Sequence, residues 1–154
     1  MKEQIKWCTS WQIQKFRNSR EAEPYAVEHF GGNVALEGGL QAICDMIVGD
    51  FSGEVFDETH ARLGVGSDDT PANAEQAGLE DAGAVWKGMA AGYPQRNDES
   101  IVFRSTFEGG DANFGWEEYA VDNGDGVVLN RKVEGKGTKQ ADEVWILTLT
   151  LSFT

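Results

Sequence analysis

Four aspartates, Asp68, Asp69, Asp122 and Asp125, lie in glycine-rich stretches where carboxylate and backbone oxygens could converge on calcium. The spacing does not fit an EF-hand, whose first, third and fifth positions would be Asp122, Gly124 and Gly126. Asn-Gly and Asp-Gly pairs tolerate positive φ, so Asp122–Gly126 also reads as a hairpin turn that needs no metal. Gly64-Val65-Gly66 opens like a phosphate loop, but Asp69 stands where GxGxxG needs its third glycine and no Walker lysine follows. His29 and His60 have no Asp, Cys or second His at metal-ligand spacing. Glu117 and Glu118 are adjacent in a predicted strand, so they point to opposite faces and cannot form one acid–base pair. No serine lies in GxSxG, and neither Cys8 nor Cys44 has a CxxC partner or a neighbouring histidine. The two cysteines read as buried, reduced thiols acting as small hydrophobes. These residues define no catalytic set, no metal centre and no cofactor site.

The aromatic residues point instead to recognition. There are five tryptophans, and Trp7 and Trp11 fall in a leading segment where five basic side chains stand against one acidic. Residues 21–130 reverse that balance, with four basic side chains against 22 acidic, and the whole chain carries −13. A basic segment on an acidic body suggests an arm lying on another, acidic surface, with tryptophans as anchors in desolvated pockets. On this reading residues 1–20 are a basic N-terminal arm that contacts a partner through Trp7, Trp11, Ile13, Lys15, Phe16 and Arg17. Two alternatives stand beside it: the segment is an edge strand protected by lysines, or its tryptophans face the domain's own core.

The elements that must carry these residues are mostly strands. Val144–Thr154 alternates strictly, with Trp145, Leu147, Leu149, Leu151 and Phe153 on one face and Thr148, Thr150 and Ser152 on the other. A strand this long and apolar requires several partners. Candidates are Ile5–Ile13, Pro24–Phe30, Ala61–Val65, the surroundings of Val85-Trp86-Lys87, Ile101–Phe107, Trp116–Val121 and Val127–Val133. Two stretches have helical character. Leu36, Leu40, Ile43 and Ile47 form one stripe, which predicts a packed helix over about 33–48 with Asn33 as N-cap and Gly49 as its end. Gly38 and Gly39 lower its propensity and could allow a close approach to the sheet. Thr70-Pro71 predicts a second, short helix over about 70–77. The fold class is therefore mainly β: an antiparallel β-sandwich or β-barrel with one packed α-helix and one short helix.

At 154 residues the chain suggests one domain, 21–154, behind the arm, and it is long enough to bury a core unaided. Its apolar runs fall short of a membrane span and its first residues lack a signal-peptide core. The acidic body argues against nucleic acid or an anionic membrane as partner.

Several motifs occur in a distinctive order: Ala61-Arg-Leu-Gly-Val-Gly-Ser-Asp-Asp-Thr-Pro-Ala, Tyr93-Pro-Gln-Arg, Phe103-Arg-Ser-Thr-Phe, Ala112-Asn-Phe-Gly-Trp-Glu, and Leu129-Asn-Arg-Lys-Val followed by Gly137-Thr-Lys. In these the chain resembles small virion structural proteins of tailed bacteriophages, described as capsid decoration, cement or tail-associated proteins. The resemblance covers residues 60–154, the helix more loosely, and not the first 30. It implies a non-enzymatic protein on the virion capsid surface, made in the host cytoplasm, that binds the major capsid protein and stabilises the coat lattice. It also fits a homo-oligomer, a trimer at a local threefold, where avidity strengthens weak contacts. Deleting residues 1–20 is then expected to abolish particle binding and leave the β domain folded. The alternative is a tail- or fibre-associated host-recognition module, with Asp111, Asn113 and Trp116 suited to stacking and hydrogen bonding a carbohydrate.

Overall fold

The computed structural model describes residues 3–154. Ten strands and one helix follow in order: β1 (Trp7–Phe16), β2 (Ala26–Gly31), β3 (Val34–Ala35), α1 (Glu37–Val48), β4 (Arg62–Gly66), β5 (Val85–Gly88), β6 (Gln95–Asn97), β7 (Ser100–Phe107), β8 (Glu118–Asp122), β9 (Asn130–Val133) and β10 (Val144–Phe153). They build two antiparallel five-stranded sheets, β2-β1-β10-β7-β6 and β3-β9-β8-β4-β5, packed as a sandwich with one helix.

The alternation in β10 decides how the sheets meet. Trp145, Leu147, Leu149 and Leu151 are buried between them, and β10 pairs along its full length with β1 and along most of it with β7. Each such side chain taken from water contributes roughly 1.5–3 kcal/mol, which makes this strand the centre of the core. The facing sheet contributes Leu63 and Val65 from β4 and Tyr119 and Val121 from β8. Aromatic rings close the space between: Trp11 stacks on Phe30 at 6.0 Å, Phe30 meets Tyr119 at 4.9 Å, and Trp116 meets both Phe107 and Trp145 at 4.8 Å. Offset and edge-on contacts of this kind add stabilisation beyond the buried area.

The last four strands divide between the two sheets. β7 and β10 belong to one sheet while β8 and β9 belong to the other, so the chain crosses the core after β7 and again after β9.

Within the first twenty residues, Trp7–Phe16 is neither part of a separate arm nor an edge strand. β1 is hydrogen-bonded to β2 on one side and to β10 on the other, with Trp11 opposite Leu149 and Ile13 opposite Leu147. The alternation turns Trp11 and Ile13 toward the facing sheet, and the two hydrogen-bonded neighbours make β1 an inner strand despite the basic charge around it.

Helix α1 ends where expected, at Gly49 with φ 80°, but it begins at Glu37 after Leu36 rather than at Asn33. The intervening residues form β3, in which Val34 pairs with Arg131 and Ala35 with Asn130. Its buried side also differs from the expected stripe: Gly39 and Ala42 face inward, whereas Leu40 and Ile47 are exposed. A Cβ on Gly39 would lie 2.7 Å from Leu129 Cα, so the missing side chain sets how closely the helix sits on the segment before β9.

The expected helix over 70–77 is absent. Asp68 accepts the Thr70 N–H at 2.8 Å, and Asn73 accepts the Glu75 N–H at 3.0 Å. These local side-chain bonds give the backbone turns in place of a helical ladder. The segment is pinned by Arg131, whose guanidinium donates to Thr70 O at 2.7 Å and to Gln76 Oε1 at 3.2 Å.

Candidate functional site

Several of the charged groups that could have done chemistry are engaged within the fold. Asp122 accepts two hydrogen bonds from Arg62, at 3.1 and 2.7 Å, and one from the Gly124 N–H. Asn123 holds the rest of that turn by accepting the N–H groups of Asp125 and Val127. Glu118 is buried against Arg131 and also accepts the N–H groups of Glu80 and Asp81. Asp81 accepts the Ser67 and Gly83 N–H groups, which hold its carboxyl below the usual carboxylate range. Lys139 is buried, donating to Glu108 O at 2.7 Å and Asn113 Oδ1 at 2.8 Å; burial lowers the pKa of its ammonium. His60 lies between Asp57, 2.7 Å from Nδ1, and Glu54, 3.2 Å from Nε2, while His29 is exposed on β2. Among the described residues no group of three or more His, Cys, Asp or Glu side chains is arranged to hold a metal ion. Gly64 and Gly66 lie within β4, where Cβ atoms would meet the Trp86 ring and the Glu118 carboxylate, so they serve packing.

The six residues expected to contact a partner separate into different environments. Trp11 and Ile13 are fully buried in the domain's own core, and a partner cannot reach them in the folded chain. Lys15 is also buried; its Nζ donates to Lys136 O at 2.6 Å and stands 4.2 Å over the Trp145 ring. Phe16 is half-buried at the end of β1. Arg17 is exposed, pairs with Glu21 and stacks on Tyr25 at 4.6 Å. Burial and a hydrogen bond to Glu143 push the Tyr25 phenol up to about 12. Trp7 is half-buried and lines an apolar cavity.

That cavity has a volume of about 230 Å³ and lies between α1 and one end of the sandwich. Ile43 and Met46 from the helix, Phe56 from the loop that follows, and Trp7, Ile101, Leu151 and Phe153 from the first sheet line it, and its lining exposes no polar area. Beside it, the outer side of α1 carries an exposed apolar stripe: Leu40, Cys44, Ile47 and Val48, with Ile47 79% and Val48 68% accessible. Cys44 is thus a free, exposed thiol and not a buried one, while Cys8 is half-buried in β1. The electrostatic setting is one-sided. From Glu21 to Ala61 the chain has nine carboxylates and no Lys or Arg.

A wider depression of about 570 Å³ is lined by Arg17, Asn18, Ser19, Arg20, Glu108 and Asp142. Its two arginines are balanced by carboxylates, so it favours neither sign of ligand.

The α1 surface is not legible in the sequence, because the helical repeat places Leu40 and Ile47 on the expected core-facing stripe. The signal that could have revealed it was the second small-residue face of Gly39 and Ala42, which only a close-packed helix would use. The carbohydrate platform is not formed, because Trp116 is fully buried and its Nε1 donates to Ala112 O at 3.0 Å. Asp111 and Asn113 are engaged by Lys87 and Lys139.

Comparison with protein-family models, with curated proteins and with solved structures found no match to this chain. Among the described residues no helix is long and apolar enough to cross a membrane.

Proposed function

We propose that this chain is a non-enzymatic virion structural protein of a tailed bacteriophage, a capsid decoration protein that binds the major capsid protein and stabilises the coat lattice. The observation that carries the reading is the exposed apolar stripe on α1, Leu40, Cys44, Ile47 and Val48, beside an apolar cavity on an otherwise acidic body. Exposed contiguous apolar surface rimmed by polar residues marks a protein contact. The two-sheet sandwich supplies a platform for such a contact. The order of motifs across residues 60–154 supports the phage setting. Assembly as a trimer at local threefold positions would multiply a weak single contact by avidity.

Attachment through α1 and Trp7 replaces attachment through the whole N-terminal segment, since Trp11 and Ile13 are committed to the core. The test is the copy number of the protein in purified particles of the phage that encodes it, by quantitative mass spectrometry against the major capsid protein. A number comparable to the coat protein is expected. A handful of copies per particle would assign the protein to the tail, and absence from particles would overturn the virion reading.

A further inference from the structure

The cavity under α1 combines three properties. Its lining exposes no polar atom, Ile43 and Met46 of the helix that carries the exposed stripe form part of it, and it is about 230 Å³, room for one large apolar side chain. Small-molecule sites carry a few placed polar groups that fix the ligand's orientation. This one has none, so whatever fills it must be oriented from outside the cavity. A side chain presented by a protein backbone meets that condition, and anchors of this kind dominate interface energetics.

The charge around the cavity selects the partner further. On the helix side Asp45, Asp50, Glu54, Asp57 and Glu58 occur without a Lys or Arg; Glu54 and Asp57 flank His60 and Glu58 accepts the Gly92 N–H, which leaves Asp45 and Asp50 as the carboxylates with no side-chain partner of their own among the described residues. On the sheet side the balance is mixed: Arg96 is opposite Ile101 across the β6–β7 pair, Lys6 precedes Trp7, and Asp98 and Glu99 form the adjoining turn. We infer that the cavity receives one large apolar side chain, aromatic or long aliphatic, from a partner protein segment whose residues facing α1 are basic. The inference deepens the capsid reading and rests on it for the identity of the partner, but the chemistry of the site can be tested alone. A second copy of this chain fits poorly, because it would bring Asp45 and the carboxylates of the 50–58 loop against their own counterparts.

The test uses the full chain and three fluorescein-labelled seven-residue peptides. The first has a central tryptophan between alanines with two basic residues at each end; the second has alanine for the tryptophan; the third has glutamates for the basic residues. The first peptide is expected to saturate and to shift the methyl resonances of Ile43 and Met46. The second and third should each bind at least tenfold more weakly, with added salt weakening the first. Met46→Glu, which places a charge at the cavity, should abolish binding. Ile47→Glu changes an exposed residue, leaves the fold intact by circular dichroism, and should weaken binding severalfold; it carries the test if Met46→Glu unfolds. Equal binding of the tryptophan and alanine peptides, or no binding of the first, overturns the inference. Binding to purified particles separates the two readings. Wild-type binding left intact by Ile47→Glu removes the cavity as the attachment point and keeps the capsid reading. Peptide binding by a chain absent from particles keeps the cavity and removes the capsid reading.

Discussion

Arg131 Nη2 lies 2.7 Å from Glu118 Oε2, and neither side chain reaches solvent. The two residues sit on neighbouring strands, β9 and β8, and between them they hold the whole 68–81 segment. Arg131 donates to the Thr70 carbonyl and the Gln76 side chain, and Glu118 accepts the N–H groups of Glu80 and Asp81. Each charge is therefore satisfied by its partner and by backbone groups of an irregular loop.

Breaking this pair from one side leaves a buried, uncompensated charge, which costs about 3–5 kcal/mol. Arg131→Met and Glu118→Leu should each reduce stability by an amount of that order in urea denaturation. The double replacement Arg131→Met with Glu118→Leu should lose less than the two single losses together, a coupling that a double-mutant cycle reads directly. Strict additivity would show that the loop, and not the pair, carries the energy.

Gly38 and Gly39 are adjacent on α1 and should respond to alanine with opposite sign. A Cβ on Gly38 meets nothing within 4 Å, so Gly38→Ala should stabilise by up to about 1 kcal/mol through helix propensity. A Cβ on Gly39 would lie 2.7 Å from Leu129 Cα and 2.8 Å from Val128 O. Gly39→Ala should cost about 1–3 kcal/mol, since backbone must move to admit the methyl group. Thermal melts of the two variants check the contrast.

Asp81 makes part of the stability depend on pH. Its carboxylate accepts the Ser67 N–H at 2.8 Å, the Ser67 hydroxyl at 2.9 Å and the Gly83 N–H at 2.7 Å. The backbone bonds from Ser67 and Gly83 favour the charged form and hold its pKa below the usual 3.8. A depressed folded-state pKa means that the unfolded chain binds the proton first as pH falls. The contribution is complete above pH 3.8 and disappears as pH drops through the lower folded-state value. Asp81→Asn should be less stable than wild type at pH 7, with the gap closing as pH falls below 3.8. A gap that stays constant over that range would exclude the carboxylate as its source.

Removing the first twenty residues should unfold the domain, because β1 lies between β2 and β10 and contributes Trp11 and Ile13 to the core. Trp11→Ala alone should cost about 3–5 kcal/mol. A truncated chain that kept a cooperative melt and dispersed amide resonances would contradict the inner position of β1.

What the sequence by itself determined was the class and the local pattern. Strict alternation in Val144–Phe153 is enough to make a buried strand, and the Gly49 stop and the Asp122–Gly126 turn depend only on backbone chemistry within a few residues. The assignment of surfaces needed the tertiary structure. Trp7, Trp11, Ile13 and Lys15 share one face of β1, but only the packing of the second sheet, with Tyr119 against Trp11, shows that this face turns inward, with Lys15 laid over Trp145. In the same way the repeat of Leu40 and Ile47 is compatible with core or surface. The close approach of Gly39 to Leu129 rotates the helix so that they face solvent, because a side-chain-free contact lets the backbone itself become the buried surface. The cavity beside them joins residues from both ends of the chain, Trp7 and Phe153, with the helix between. Proximity of that kind is set by folding over long sequence separations, which no local pattern encodes.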